Sequence, residues 1–212
     1  MTVMVDTSAV PVRLRTDCCD SKVARDLWAQ FSSGAYNLCS VLEMPDTLDA
    51  WLGEHRTARK RRLRALRLGY TFRELAREHH ADEIHAVNTS LDRRQGRPMS
   101  SGYLERQEFS PLNDHQCEHH QIRAWGVWTA DDQLVAYTVI HRAGDLALVS
   151  QILGHGDHQD DGIMYLLFAG ALEQEIPLGG LVVYNRHDSG QDGLRWFKER
   201  LGFEETPVWW IP

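Results

Sequence analysis

From Gln121 to the C-terminus the sequence switches between two hydrophobic periods in a fixed order, and that order leaves few folds open. Residues 122–129, 134–141 and 146–153 are short runs rich in β-branched and aromatic residues. The turn signals Ala130-Asp131-Asp132 and Ala143-Gly144-Asp145 part them, which predicts an antiparallel meander. Residues 162–175 then carry Ile163, Leu166, Leu167, Gly170 and Leu172 at helical spacing. Residues 180–184 read as a short buried strand and 194–201 as a second helix closed by Gly202, before an aromatic final strand over 203–211. The order β-β-β-α-β-α-β predicts an α/β (α+β) domain with a mixed sheet flanked by helices.

Upstream the pattern is looser. Residues 1–50 read as a helical and extended addition, with a helix over 21–31, and residues 51–212 as the main domain. A helix is expected after Asp46, where Leu48, Trp51 and Leu52 recur at helical spacing. It continues into Arg56, Arg59, Lys60, Arg61, Arg62, Arg64 and Arg67, with Leu63, Leu66 and Leu68 as the expected apolar side and Gly69 as its stop. A short strand is expected over 70–75 and a helix over 82–88. Residues 93–99 contain Gly and Pro and read as a loop.

Charge and cysteine usage narrow the function classes. The net charge of −7 disfavours a general nucleic-acid binder, yet a local basic run on an acidic protein can still hold a polyanion. Adjacent Cys18 and Cys19 with isolated Cys39 and Cys117 make no disulfide framework, so reduced thiols are expected. No leader and no apolar run long enough for a bilayer is read here, and the expected compartment is the cytoplasm. The cluster His115, Cys117, His119 and His120 fits no zinc-ligand spacing, and no metal site is expected. Neither Gly-x-Ser-x-Gly nor a Walker loop is present.

The strand and helix order, ending in Trp196-Phe197-Lys198-Glu199-Arg200-Leu201-Gly202-Phe203, resembles the GNAT superfamily of N-acyltransferases over roughly residues 120–212. The resemblance implies that two central parallel strands, here 146–153 and 180–184, splay apart to grip an acyl donor. It also implies a donor loop, matched in part by Gln151, Leu153, Gly154 and Gly156. Asp157, Asp160 and Asp161 come directly after it, and carboxylates beside a coenzyme A pyrophosphate would repel it by about 1 kcal/mol per close contact. The Phe197-Lys198 pair and the basic helix ending in Gly69 resemble the Fem-type peptidyl transferases, a branch that takes amino acids from aminoacyl-tRNA.

The first functional expectation is transfer of an aminoacyl group from aminoacyl-tRNA to a small-molecule or peptide amine, with no covalently bound cofactor. Acetyl-CoA as donor is the alternative, and a non-catalytic RNA-binding module is the third reading. Lys198 is expected to stabilise the oxyanion, with Asn185 and Asp161 as further catalytic candidates. Arg59, Lys60, Arg61, Arg62, Arg64 and Arg67 are expected to meet tRNA phosphates. Arg93, Arg94 and Arg97 are expected to bind the acceptor or the tRNA end. The base is open among His141, His155, His158, His187 and Asp188.

Overall fold

The computed structural model describes residues 9–17, 21–31, 37–94, 97–112, 117–186 and 192–212. In chain order the elements are β1 (Val10–Arg13), α1 (Lys22–Phe31), β2 (Asn37–Glu43), α2 (Leu48–Glu54), α3 (Arg56–Arg67), β3 (Thr71–Glu74) and α4 (Ala81–Thr89). There follow β4 (Arg93–Arg94), β5 (Arg97–Pro98), α5 (Ser101–Leu104), β6 (His120–Trp128), β7 (Leu134–Ala143) and β8 (Leu146–Gly154). The chain closes with α6 (Ile163–Glu175), β9 (Leu181–Arg186), α7 (Asp192–Arg200) and β10 (Glu204–Ile211). Among the described residues, no helix is long and apolar enough to cross a membrane.

Eight strands form one sheet in the order β1-β10-β2-β9-β8-β7-β6-β3. The stretch set apart in the sequence as an N-terminal addition therefore supplies two strands to the common sheet. β2 fills the slot between β9 and β10, antiparallel to both. Its sequence did not announce it. A register shift between Cys39 and Val41 interrupts the alternation on which a strand is recognised.

Both faces of the sheet are covered. On one, α2, α3 and α6 build the main core around Trp51, Phe168, Leu172 and Phe203. On the other, α4 packs Ile84 and Val87 against Trp128, Tyr137 and Val139. α6 is buried nearly all round, as a helix sandwiched between layers must be. Gly170 makes this possible, because a Cβ there would stand 2.5 Å from the Phe72 ring.

The arginine helix packs differently from its expected apolar stripe. Ala58 and Ala65 are fully buried, whereas Leu63, Leu66 and Leu68 remain 43%, 41% and 52% exposed. Small residues bring α3 close to α6 and the leucines are turned outward. α3 ends in a Schellman turn: Gly69, at φ 87°, donates to Leu66 O at 3.1 Å and Tyr70 to Ala65 O at 3.2 Å. Residues 93–99 are not a simple loop, since β4 and β5 pair as a short hairpin.

Gly162, before α6, has φ 89°, and a Cβ there would collide with the carbonyl oxygen of Arg61. Gly162→Ala therefore meets both backbone strain and a backbone clash. The expected loss is about 2–4 kcal/mol in urea unfolding; a loss under about 0.5 kcal/mol would contradict this packing of α3 on α6.

Candidate active site

β8 and β9 are parallel neighbours, but they pair only at Leu146–Leu181, Ala147–Val182 and Leu148–Val183. Beyond that point β8 stays on β7 as far as Gly154, while β9 stays with β2, where Arg186 faces Cys39. Each strand is held by its outer neighbour, so the pair opens as a wedge. Among the described residues no strand lies beside the β9-facing edge of β8 from Val149 onward, and such an edge offers backbone N–H and C=O groups to a ligand.

A bulge sets the side chains along this edge. Val139 pairs with Gln151 and Ile140 with Val149, which leaves Ser150 as the extra residue. Ser150 Oγ donates to Val139 O at 3.0 Å, and Thr138 Oγ1 donates to Gln151 O at 2.7 Å. As a result Ser150, Gln151, Ile152, Leu153 and Gly154 all line a cleft of about 610 Å³. Its other walls are Tyr184 of β9, Leu194 and Phe197 of α7, Met164 of α6, Tyr103 of α5, and Arg93 and Arg94 of the hairpin.

Beyond Gly154 five backbone amides of the turn are engaged by the protein itself. His155 N–H donates to Val135 O at 2.7 Å, Gly156 N–H to Ser90 Oγ at 3.0 Å, and Asp157 N–H to His155 Nδ1 at 3.3 Å. The N–H of His158 reaches His155 O and that of Gly162 reaches Gln159 O. Burial is the chief cause holding the His155 imidazole below its ordinary pKa, which suits its part as an acceptor. Gly156 does not line the cleft; Gln151, Leu153 and Gly154 do.

The acidic turn after Gly156 is bound to α3. Arg61 donates to Asp160 O at 2.9 Å and Arg64 to Asp161 Oδ1 at 3.1 Å. Tyr70 donates to Asp161 Oδ2 at 2.8 Å, with His158 Nδ1 2.6 Å from the same hydroxyl. Burial first, and the bond to Asp161 second, push the Tyr70 phenol up to about 12. Asp161 thus sits in a network on the α3 side and does not line the cleft. Two of the arginines expected to meet phosphate, Arg61 and Arg64, are occupied in it. Arg59, Lys60 and Arg67 lie exposed on α3, and Arg62 is partly buried.

The hairpin arginines divide in the same way. Arg93 is exposed at the cleft rim. Arg94 instead ties the end of α4 to the end of β8, donating to Gly154 O and Val87 O at 2.7 Å each and to Ser90 Oγ at 3.0 Å. Its cation neutralises a helix C-terminus and fixes the wedge mouth. The side chains of Arg97 and Asn185 lie outside the described residues, although Asn185 belongs to β9 by its backbone. His187 and Asp188 also lie outside them.

Lys198 is fully buried, which no surface lysine on a helix would be. Its Nζ lies 4.8 Å from the centroid of the Tyr184 ring, and that ring is a cleft wall. The lysine itself does not line the cleft. A second Schellman turn places it: Gly202 donates to Glu199 O at 3.1 Å and Phe203 to Lys198 O at 3.0 Å, while Trp51 Nε1 donates to Leu201 O at 3.0 Å. The Leu-Gly-Phe motif is therefore the stop of α7. Phe203 drops into the core against Phe168, with ring centroids 5.5 Å apart. Tyr103 and Tyr184 were not singled out from the sequence; the aromatic in the strand over 180–184 was the available signal.

No family model matches the sequence, and no curated protein matches it. Solved structures share its fold. FemX superposes with a TM-score of 0.61 at 12% identity, over 83% of this chain and 61% of that one. L-PGS from Bacillus licheniformis gives 0.52 at 19%, over 89% and 63%. The C-terminal domain of a putative lysylphosphatidylglycerol synthetase from Agrobacterium fabrum gives 0.52 at 15%, over 81% and 58%. The chain thus spans less than two thirds of the length of these structures. The likeness is one of fold, shared with FemX and with the two synthetase structures.

Proposed function

We propose that the protein is an N-acyltransferase that moves an aminoacyl group from the ester of an aminoacyl-tRNA to an amine. The observation that carries this choice of donor is the turn after β8. A coenzyme A pyrophosphate needs several free N–H groups, and those of His155, Gly156, Asp157, His158 and Gly162 already have acceptors within the protein. An aminoacyl ester needs no such cradle. It needs an open strand edge for its amide and carbonyl groups and a cleft for its side chain, and both are present at β8.

In the reaction the amine nitrogen attacks the ester carbonyl and gives up a proton. The carbonyl oxygen becomes an oxyanion, and collapse breaks the C–O bond and returns the ribose hydroxyl. Alignment in the wedge supplies much of the acceleration. The oxyanion is stabilised by N–H groups on the open edge of β8 and by the positive charge of Lys198 behind Tyr184. Burial raises the Tyr184 phenol above its ordinary range, so it stays neutral and can donate to the same oxygen. The exposed cations Arg59, Lys60 and Arg67 of α3 offer a place for tRNA phosphates.

Two measurements test the donor. Charged tRNA mixed with a panel of amines should be consumed faster than its spontaneous hydrolysis, with an amide as product. Acetyl-CoA at saturating concentration should leave the melting temperature unchanged, whereas a true ligand at a hundredfold its Kd adds about 2.7 kcal/mol. A clear rise with acetyl-CoA, together with intact charged tRNA, would reverse the assignment.

A further inference from the structure

Beside the cleft lies a second hollow of about 200 Å³, lined by Asn88, Tyr137, Tyr103, Phe109, Gln107 and Gln151 among others. Gln151, Ser100 and Tyr103 line both spaces, so the hollow opens onto the bulged edge of β8.

Two of its side-chain amides, those of Asn88 and Gln151, have N–H groups to offer. Asn88 is 5% exposed, and its Oδ1 accepts the Tyr137 hydroxyl at 2.8 Å. Tyr137 has one proton and gives it there, so both N–H groups of Asn88 remain, and among the described residues neither has an acceptor. The side-chain amide of Gln151 likewise has no partner among them. Arg77 stacks on Phe109 with its guanidinium carbon 4.1 Å from the ring centroid. The Nε groups of Arg77 and Arg94 are both buried and have no acceptor among the described residues. No Asp or Glu is among the residues lining either space.

Open amide donors on Asn88 and Gln151, with Arg77 behind the Phe109 wall, Arg94 in the wall of the adjoining cleft and no carboxylate in either lining, fit an anionic oxygen group. A primary amide would set its own N–H groups against these donors, and an ammonium would be repelled. We propose that this hollow holds the carboxylate of the acceptor, which makes the acceptor an amino acid or short peptide with a free carboxylate. This rests on the acyltransferase reading above and names its acceptor class. The volume suits one residue and not a nucleotide. With the carboxylate under Asn88, the amine lies toward Gln151 and the open edge of β8, where the acyl carbonyl is held.

The test is binding to the full chain, by calorimetry or by chemical-shift titration, of L-phenylalanine, L-phenylalaninamide and 2-phenylethylamine. The acid should bind about tenfold or more tighter than the other two, as charge-assisted hydrogen bonds require. Arg77→Met should cut that preference to about threefold or less. Gln151→Leu, at a half-buried position, gives a second check that does not depend on a buried arginine site. Equal binding of acid and amide, no binding of the acid at millimolar concentration, or a preference unchanged in both variants would overturn the proposal. Binding and chemistry separate cleanly. Carboxylate preference without amide formation from charged tRNA keeps this site and removes the transferase reading, and amide formation indifferent to the carboxylate does the reverse.

Discussion

Replacing Glu175 with alanine should lower the unfolding free energy by about 3–5 kcal/mol, a larger loss than any surface substitution in this chain. Glu175 is fully buried. One carboxylate oxygen pairs with Arg123 and the other with Arg142 at 3.3 Å. Arg142 also donates to Leu178 O and Gly179 O at 2.7 Å each. Without the carboxylate, two guanidinium groups stay in a poorly hydrated site with their charges uncompensated. Burial already lowers the Arg142 pKa, opposed mainly by Glu175.

The location gives the effect a functional side. The cluster ties β6, β7 and the end of α6 to the turn that leads into β9, and Leu181 begins the pairing at the wedge apex. Urea unfolding measures the loss. Asp26→Ala, which breaks the exposed pair with Lys22, should change stability by no more than about 0.5 kcal/mol. If the two substitutions cost the same, the buried cluster is not the clamp described here.

The second large effect concerns Lys198. Lys198→Met keeps most of the side-chain volume and so opens little cavity, yet should slow amide formation by about a hundredfold or more by removing the charge behind Tyr184. Lys198→Ala should do both kinds of damage. It leaves a cavity under a fully buried side chain, at about 2–4 kcal/mol. From sequence alone a lysine on this helix is expected to contribute little to the core, and its complete burial reverses that expectation. The comparison of methionine with alanine separates charge from packing. Equal rates for wild type and Lys198→Met would remove the lysine from the oxyanion site.

Much of the C-terminal half was legible in the sequence. The meander, α6, β9, α7 and β10 obey local rules: period-two runs for strands, helical spacing for α6, and Gly202 at a position where a left-handed residue ends the helix. The wedge between β8 and β9 was expected through resemblance, and the register shows where it starts. β2 escaped notice because a bulge breaks its alternation. Its partners, β9 and β10, lie well over a hundred residues away.

The site divided along the same line. Among the residues that line the cleft, Gln151, Leu153 and Gly154 were named through the resemblance, and Arg93 and Arg94 from the charge of their loop. Their partners were not. Nothing local says that Arg94 is tied to Gly154 and Val87, that Arg64 and Tyr70 hold Asp161, or that Ser90 occupies the N–H of Gly156.

By itself, then, the sequence determined which segments of the C-terminal half become strands and helices and where α3 and α7 stop, since those choices rest on neighbours a few residues apart. Only the tertiary structure decided which charges are buried, which amides remain open and which side chains face the cleft. Desolvation and hydrogen bonding depend on groups brought together from distant parts of the chain, and no local pattern encodes that meeting.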